Sequence, residues 1–458
     1  MCLFCQSGNS SRLRFRAAGR SVAERLAGVA DVILTGGDIL TMDHRAPRTT
    51  ALSVRDGLVQ SVGSLDEVLA HKGRSTRIVN IDGATIIPGM ILPALPKSLV
   101  ALLDWQEIDL GRADGDVHGY LSRTVVPPLF SAPVFIRLVN AAGAARHPGL
   151  LAALEKQCGA VPIAVQVDGT DAGLANRAMF RLAGRAAVTE HGSAAPFVTD
   201  VAALLNCIAS GTAHSASSIG RALERAVAAA RRDGYTTVVD RAMGAIGGRD
   251  EVEAAASQLA ARRYVRMRGV AHRRLREEWD GRLPDEVRPD MLSIDAALLE
   301  GGQAVGDLLG EAWSLNEAGW RLVFSAGSRD KLDVVLEVCR ILRPVLEDRA
   351  PRIEVQFVPD RTDLDAVRQL GVILAVVADA DGLSSGTSAR PVAGCNPLNI
   401  DGYLAAVTRD AADQCGLADI AGTIARGKYA DFTLLEGPPE HGKPLRIAGT
   451  WVDGIPVS

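Results

Sequence analysis

The stretch TIIPGMILPALPKSL, residues 85–99, decides how the rest of the chain is read. The β-branched run Thr85–Ile87 predicts a buried strand, Pro88 and Gly89 a turn, and Met90–Leu92 a second apolar strand. A strand end that is to grip a metal presents donor side chains at alternate positions, because residues two apart share a face. Here the alternate positions after the turn are Ala94 and Pro96, and neither side chain carries a donor.

At 458 residues the chain is long enough for two or three domains, or for one large α/β barrel with a smaller companion. Hydrophobic residues make up 47% and charged residues 23%, an ordinary balance for a protein with a sizeable buried core. The net charge of −4 provides no basic field, so nucleic acid and anionic membrane surfaces are not expected partners. No run of about 20 uncharged apolar residues occurs, so no membrane span is expected. Seven cysteines are scattered at 2, 5, 158, 207, 339, 395 and 415, which is not a disulfide framework and fits a reducing cytoplasm. Cys2 and Cys5 form a lone C-x-x-C, too few ligands for zinc, inside an arginine-rich stretch over residues 1–30 that reads as a surface arm.

Residues 31–88 read as short strands punctuated by Gly36-Gly37, Asp56-Gly57 and Asp82-Gly83, pairs that favour tight hairpins. Ser64 followed by Glu67 predicts a capping box at the start of a short helix. Residues 425–458 resume the strand pattern, with Asp453-Gly454 as a further turn. Two β-rich ends around a long middle predict a β-sandwich assembled from 31–88 and 425–458. In the middle, Ile219, Leu223, Ala226, Val227 and Ala230 fall on one helical face that stops at Gly234, and the buried strand YTTVVD follows. The same strand-then-helix cycle recurs at RLVFSAG, at RIEVQFV and toward VILAVVAD. Such alternation means parallel strands with crossover helices, and over residues 89–424 it predicts a distorted (β/α)8 TIM barrel. No G-x-G-x-x-G or P-loop motif opens a helix, so no nucleotide cofactor is implied.

Taken together, ILTGGDILTMD, ALSVRDGLVQSVGSLDEVLA, IDGATIIPG, NPLNIDGYLAAVTRD, GTIARGKYADFTLLEG and TWVDGIPV resemble the amidohydrolase superfamily. The nearest branch is the YtcJ-like one that includes N-substituted formamide deformylases. The resemblance runs from about Asp31 to the C-terminus and implies the same barrel-plus-sandwich fold. It also implies histidines and an aspartate at the strand tips, holding metal that activates a water. Matched motif by motif, the ligand positions read Ala94, Pro96, Ser325, Val355 and Ser388, with Leu92 and Arg329 at two further aspartate positions and Thr170 at a substrate-side histidine. Alanine, proline and valine cannot coordinate a cation, and a neutral serine does so poorly.

The eight histidines, at 44, 71, 118, 147, 191, 214, 272 and 441, include no pair within five positions, and none is expected at the tip of a barrel strand. The residues left for a residual pocket at the mouth are Asp168, Thr170, Asp171, Asp240, Asp295 and Glu354. Glu354, beside the Val355 position, is expected to point away from the barrel axis and to partner a neighbouring arginine. Ser325 and Ser388 have no histidine placed to activate them and no G-x-S-x-G elbow.

The expectation is therefore an amidohydrolase-like protein without metal or other cofactor. It would be a non-catalytic structural or regulatory subunit, or a small-molecule binder using the emptied mouth. Its partner would be an active paralogue, another enzyme subunit or a second copy. The alternative is a hydrolase of N-acyl or N-formyl amides with a relocated metal or none.

Overall fold

The computed structural model describes residues 21–93, 95, 105–128, 132–139, 149–167, 173–184, 197–198, 204, 216–261, 265–346, 350–355, 357–376, 400–440, 443 and 445–457. Residues 1–20 of the N-terminal arm, with Cys2 and Cys5, and the positions Ala94, Pro96, Asp168, Thr170, Asp171 and Ser388 lie outside them, whereas the rest of the arm is described and forms the helix Val22–Leu26 with Leu26 buried. The chain forms two compact units: Met1–Leu95, Leu223–Ala378 and Ala389–Ser458 make the first, and Pro96–Ala222 with Asp379–Ser388 the second.

The first unit contains an eight-stranded sheet built from both ends of the chain. Its strands run in the order Ile455–Val457, Ile447–Val452, Phe432–Leu435, Thr85–Pro88, Val32–Leu40, Arg48–Arg55 and Leu58–Gly63, with Arg77–Asn80 also pairing Val32–Leu40. The two ends meet where Phe432–Leu435 pairs antiparallel with Thr85–Pro88. Two of the expected turns are true hairpin turns. Asp56-Gly57 and Asp453-Gly454 adopt positive φ at both residues, as that tight turn demands. Gly36-Gly37 instead lies inside Val32–Leu40, at a shift of register between Thr35 and Ile39. Asp82-Gly83 links two strands that both run parallel to Val32–Leu40, so it joins them without forming a hairpin. The Ser64–Glu67 capping box is present in both directions.

The same unit holds a parallel sheet of seven strands: β1 (Met90–Leu92), β2 (Tyr235–Met243), β3 (Arg266–Ala271), β4 (Leu292–Glu300), β5 (Arg321–Ala326), β6 (Arg352–Val355) and β7 (Ile373–Val376). They neighbour one another in chain order, and helices such as Arg249–Ala261, Val305–Glu317, Arg329–Leu342 and Arg361–Leu370 lie between successive strands. This is a mixed α/β fold with a parallel sheet curled into a half-barrel. One side of the sheet packs on the helices: Leu322, Phe324, Ile353 and Val355 join Leu332, Val335, Leu336 and Val367. On the other side Val239, Val270, Ala296 and Val323, from four different strands, meet in one small cluster. The helix Ala216–Arg232 buries Ile219, Val227 and Ala230 on the expected face, and Gly234, at φ +89°, ends it before β2.

The second unit has its own five-stranded sheet, ordered Phe197–Val198, Gly173–Ala175, Ile163–Val167, Val134–Val139 and Trp105–Asp109. Its core is separate, centred on Ile136, Leu150, Leu154 and Ile163. The alternation read from the sequence does not set this second sheet apart.

Arg266, at the start of β3, fastens the parallel sheet to the composite sheet. Its Nε donates to Asp431 Oδ2 at 2.6 Å and its Nη2 to Asp431 Oδ1 at 3.0 Å and Asp453 Oδ1 at 2.5 Å. Nη1 reaches Asp290, and the guanidinium lies 3.8 Å from the centre of the Tyr429 ring. The side chain is only 4% exposed. Burial alone would favour loss of its proton, but the Asp431 and Asp453 carboxylates outweigh that and hold its pKa above the ordinary value. Removing one partner of such a buried set strands the others, so Arg266→Met should destabilise the protein by about 3–5 kcal/mol in urea unfolding. The Asp290 pKa is moved up by burial and down further by Arg288 and Arg266, ending below its ordinary value. Stability from a depressed carboxylate is full above the unfolded pKa and fades as pH falls through the folded one. Asp290→Asn should therefore flatten the loss of unfolding free energy below about pH 4, measured by urea titrations across that range.

Candidate functional site

The inner face of the half-barrel, away from the helices, is where the expected site residues can be tested. Alternation along β6 decides their orientation. Ile353 and Val355 lie in the helix-side cluster, so Arg352 and Glu354 project to the inner face. This corrects the expected orientation of Glu354, while its expected pairing with arginine is present. Val355, the residue matched to a histidine ligand, points into the helix layer. On β5 Ser325 alternates with helix-packed Phe324 and shares the inner face with Val323, in register with Glu354.

Glu354 is 1% exposed and meets two arginines. Arg241, on β2, approaches Oε2 through Nε at 2.7 Å and through Nη2 at 2.5 Å. Arg352 brings Nη2 to 3.0 Å from Oε1, off the hydrogen-bonding direction, and its Nε is buried without an acceptor. Arg352 also donates to Cys415 Sγ at 3.3 Å and sits 3.5 Å from the Pro93 carbonyl oxygen. Its own burial works against the charge, yet Glu354 and Cys415 hold its pKa above the ordinary value. The Cys415 thiol is pushed up by burial, with Arg352 pulling it the other way.

The Arg241–Glu354 contact also measures the curl. Strands β2 and β6 are four places apart, and at about 4.8 Å per place a flat sheet would hold them about 19 Å apart. Two side chains touching at 2.7 Å require the sheet to bend until β2 faces β6.

A second set of charges lies on the neighbouring strands. Between β3 and β4 the pairing jumps from Gly269–Ile294 to Val270–Ala296, which leaves Asp295 as a bulge residue. Asp295 accepts from Arg268 Nη2 at 2.8 Å and lies 3.8 Å from Arg321 Nε. Asp240 is buried, accepts from the Ala242 amide and falls on the helix side with Val238, away from Arg241. His272 directly follows β3, a strand-tip position that the sequence reading missed because RMRGVA carries no clear strand signal. There it caps the helix Arg273–Glu278, its Nδ1 accepting from the Arg274 amide at 3.2 Å. Arg268, Arg352 and Cys415 were also missed; the alternation Arg352-Ile353-Glu354-Val355 is the signal that points to one polar and one apolar face.

A catalytic divalent ion needs three or more nitrogen, sulfur or oxygen donors close around it. Among the described residues no group of three or more His, Cys, Asp or Glu is arranged to hold one. Glu354 Oε2 is already held by Arg241, and the Arg352 guanidinium stands 3.0 Å from Oε1 as a counter-charge without a hydrogen bond. The described donor set does not fit such an ion, and its chemistry is that of a salt-bridged interior.

No family model matches the chain. Its structural neighbours include metal-dependent hydrolases. An uncharacterized metal-dependent hydrolase from Pyrococcus horikoshii aligns with a TM-score of 0.61 at 14% identity, over 89% of this chain and 98% of that one. At that identity the likeness shows the fold alone. Two curated proteins match in part. Protein LONG AFTER FAR-RED 3 from Arabidopsis thaliana is 35% identical over 63 residues, and the exoenzymes regulatory protein AepA from Pectobacterium carotovorum is 27% identical over 160 residues. These matches span 11% and 34% of the relatives' lengths.

If the bridge holds the curl, Glu354→Gln should cost about 3–5 kcal/mol in denaturant unfolding, because Arg352 is then buried without a counter-charge. Replacing Arg352 by Met and Glu354 by Leu together should recover most of that loss. A single-variant cost under about 1 kcal/mol would show the pair to be dispensable.

Proposed function

We propose that the chain is a non-hydrolysing amidohydrolase-like protein, acting as a structural or regulatory subunit beside an active enzyme. The observation that carries this is the Arg241–Glu354–Arg352 bridge across the inner face, where hydrolases of this fold hold their metal. A guanidinium fixed between strands supplies positive charge but offers no open coordination position for water or a scissile carbonyl. The replacements Ala94, Pro96, Ser325 and Ser388 at matched ligand positions support the same reading, whereas Val355, turned to the helix layer, carries no weight in it. So does the partial likeness to a protein named as a regulator of exoenzymes.

The proposal includes the finer architecture: a distorted TIM barrel over 89–424, a β-sandwich from 31–88 and 425–458, and the YtcJ-like branch as nearest kin. It also places the protein in the cytoplasm. Among the described residues no helix is long and apolar enough to cross a membrane. The partner is an active amidohydrolase paralogue or another enzyme, with a homodimer as the simpler assembly. Asp240, Asp295 and Glu354 then serve as structural charges, and any small-molecule ligand of the mouth binds without being cleaved.

Metal analysis of protein purified without chelators should find well below one equivalent of zinc, iron or manganese. The same preparation should not turn over N-acyl or N-formyl amides, and a pull-down from the native cell should recover a second enzyme. A stoichiometric, tightly held metal together with amide turnover would overturn the proposal in favour of a hydrolase with a relocated centre.

A further inference from the structure

A cavity of about 840 Å³ opens in the first unit at the base of the composite sheet, beside the loop that precedes β4. Its size falls within the range of small-molecule sites. Charged side chains line it, and most are already matched. Arg25 Nε donates to Asp56 Oδ2 at 2.8 Å. Arg288 pairs with Asp290, donating through Nε at 2.9 Å, and its Nη1 lies 2.9 Å from Asp453 Oδ2.

Two lining residues of opposite sign, both exposed, have no ion-pair partner among the described residues. Asp31 accepts the Asp56 amide at 2.7 Å, and no cationic group among the described residues lies within ion-pair reach of it. The Arg77 guanidinium sits 6.0 Å from the Trp451 ring centre, with no described carboxylate paired to it. The two belong to adjacent segments, the Arg77 amide donating to the Asp31 carbonyl oxygen at 3.0 Å, yet their side chains do not pair with each other. The apolar surface beside them is that of Ile455, an exposed isoleucine on the edge strand, with Val32 and Val54 nearly buried in the wall behind. Tyr429 adds a hydroxyl that no described residue engages.

We propose that this cavity binds a small aliphatic zwitterion, its ammonium group on Asp31 and its carboxylate on Arg77. Charge-assisted hydrogen bonds at both ends would neutralise the two unmatched groups, and an aliphatic side chain would cover Ile455. The site is independent of the inner-face bridge and of whether the protein hydrolyses anything.

Calorimetric titration with leucine tests it, with isocaproate and isoamylamine as analogues carrying one charge each and glycylleucine to separate free amino acid from dipeptide. Leucine or glycylleucine should bind, and each single-charge analogue should bind about tenfold more weakly or worse. Asp31→Asn, which keeps an acceptor for the Asp56 amide, and Arg77→Gln should each weaken binding by a similar factor. Neither should shift the melting temperature of the free protein. Absence of binding by both zwitterions, equal binding by a single-charge analogue, or undiminished binding in both variants would each overturn the proposal.

Discussion

A carboxylate with almost no access to water cannot stand alone inside a protein, and Glu354 is such a group. Its charge is tolerable because Arg241 and Arg352 reach it from two strands, and the reach of Arg241 is possible only in a strongly bent sheet. Curl and charge are thus one constraint. A flatter sheet would strand the carboxylate, and a neutral residue at position 354 would leave Arg352 as the unmatched buried ion. The apolar contacts of Val239, Val270, Ala296 and Val323 follow the same bend.

Arginine repeats this role at Arg266, where one guanidinium holds Asp431, Asp453 and Asp290 and stacks on Tyr429. Lysine could not substitute at either place, since a point charge lacks the planar fork that serves several acceptors at once. The chain's basic residues are mostly arginine, and the two hubs show what that composition permits. Both join elements far apart in sequence: Arg241 with Glu354 across the inner face, and Arg266 with the C-terminal strands across the unit.

Much of this architecture was legible in the residues. Periodicity placed the helix Ala216–Arg232 and its buried face, and Ser64 with Glu67 announced their cap. Asp-Gly pairs marked two hairpins because both residues tolerate positive φ, but Asp82-Gly83, with the same backbone, joins two parallel strands, and Gly36-Gly37 was absorbed into a strand as a break in register. The inner face was harder. One residue of phase along β6 exchanges Glu354 for Val355, and a four-residue strand gives little periodicity to fix it. His272 escaped notice because β3 carries arginines where a buried strand is expected to be apolar, and those arginines are satisfied only by carboxylates remote in sequence. The second unit's sheet was invisible for a related reason. Its parallel strands show the same alternation as the half-barrel, and local pattern does not say which core a strand joins.

The meeting of Thr85–Pro88 with Phe432–Leu435 carries a consequence for how the protein is made. The Met90 amide and the Thr433 hydroxyl that join there are 343 positions apart. At ribosomal speeds of about 5–20 residues per second, one flank of Thr85–Pro88 waits on the order of 20–70 s for its partner strand to be synthesised. Through that interval the nascent chain displays an apolar, unpaired strand edge, the kind of surface that chaperones shield and that neighbouring copies can capture.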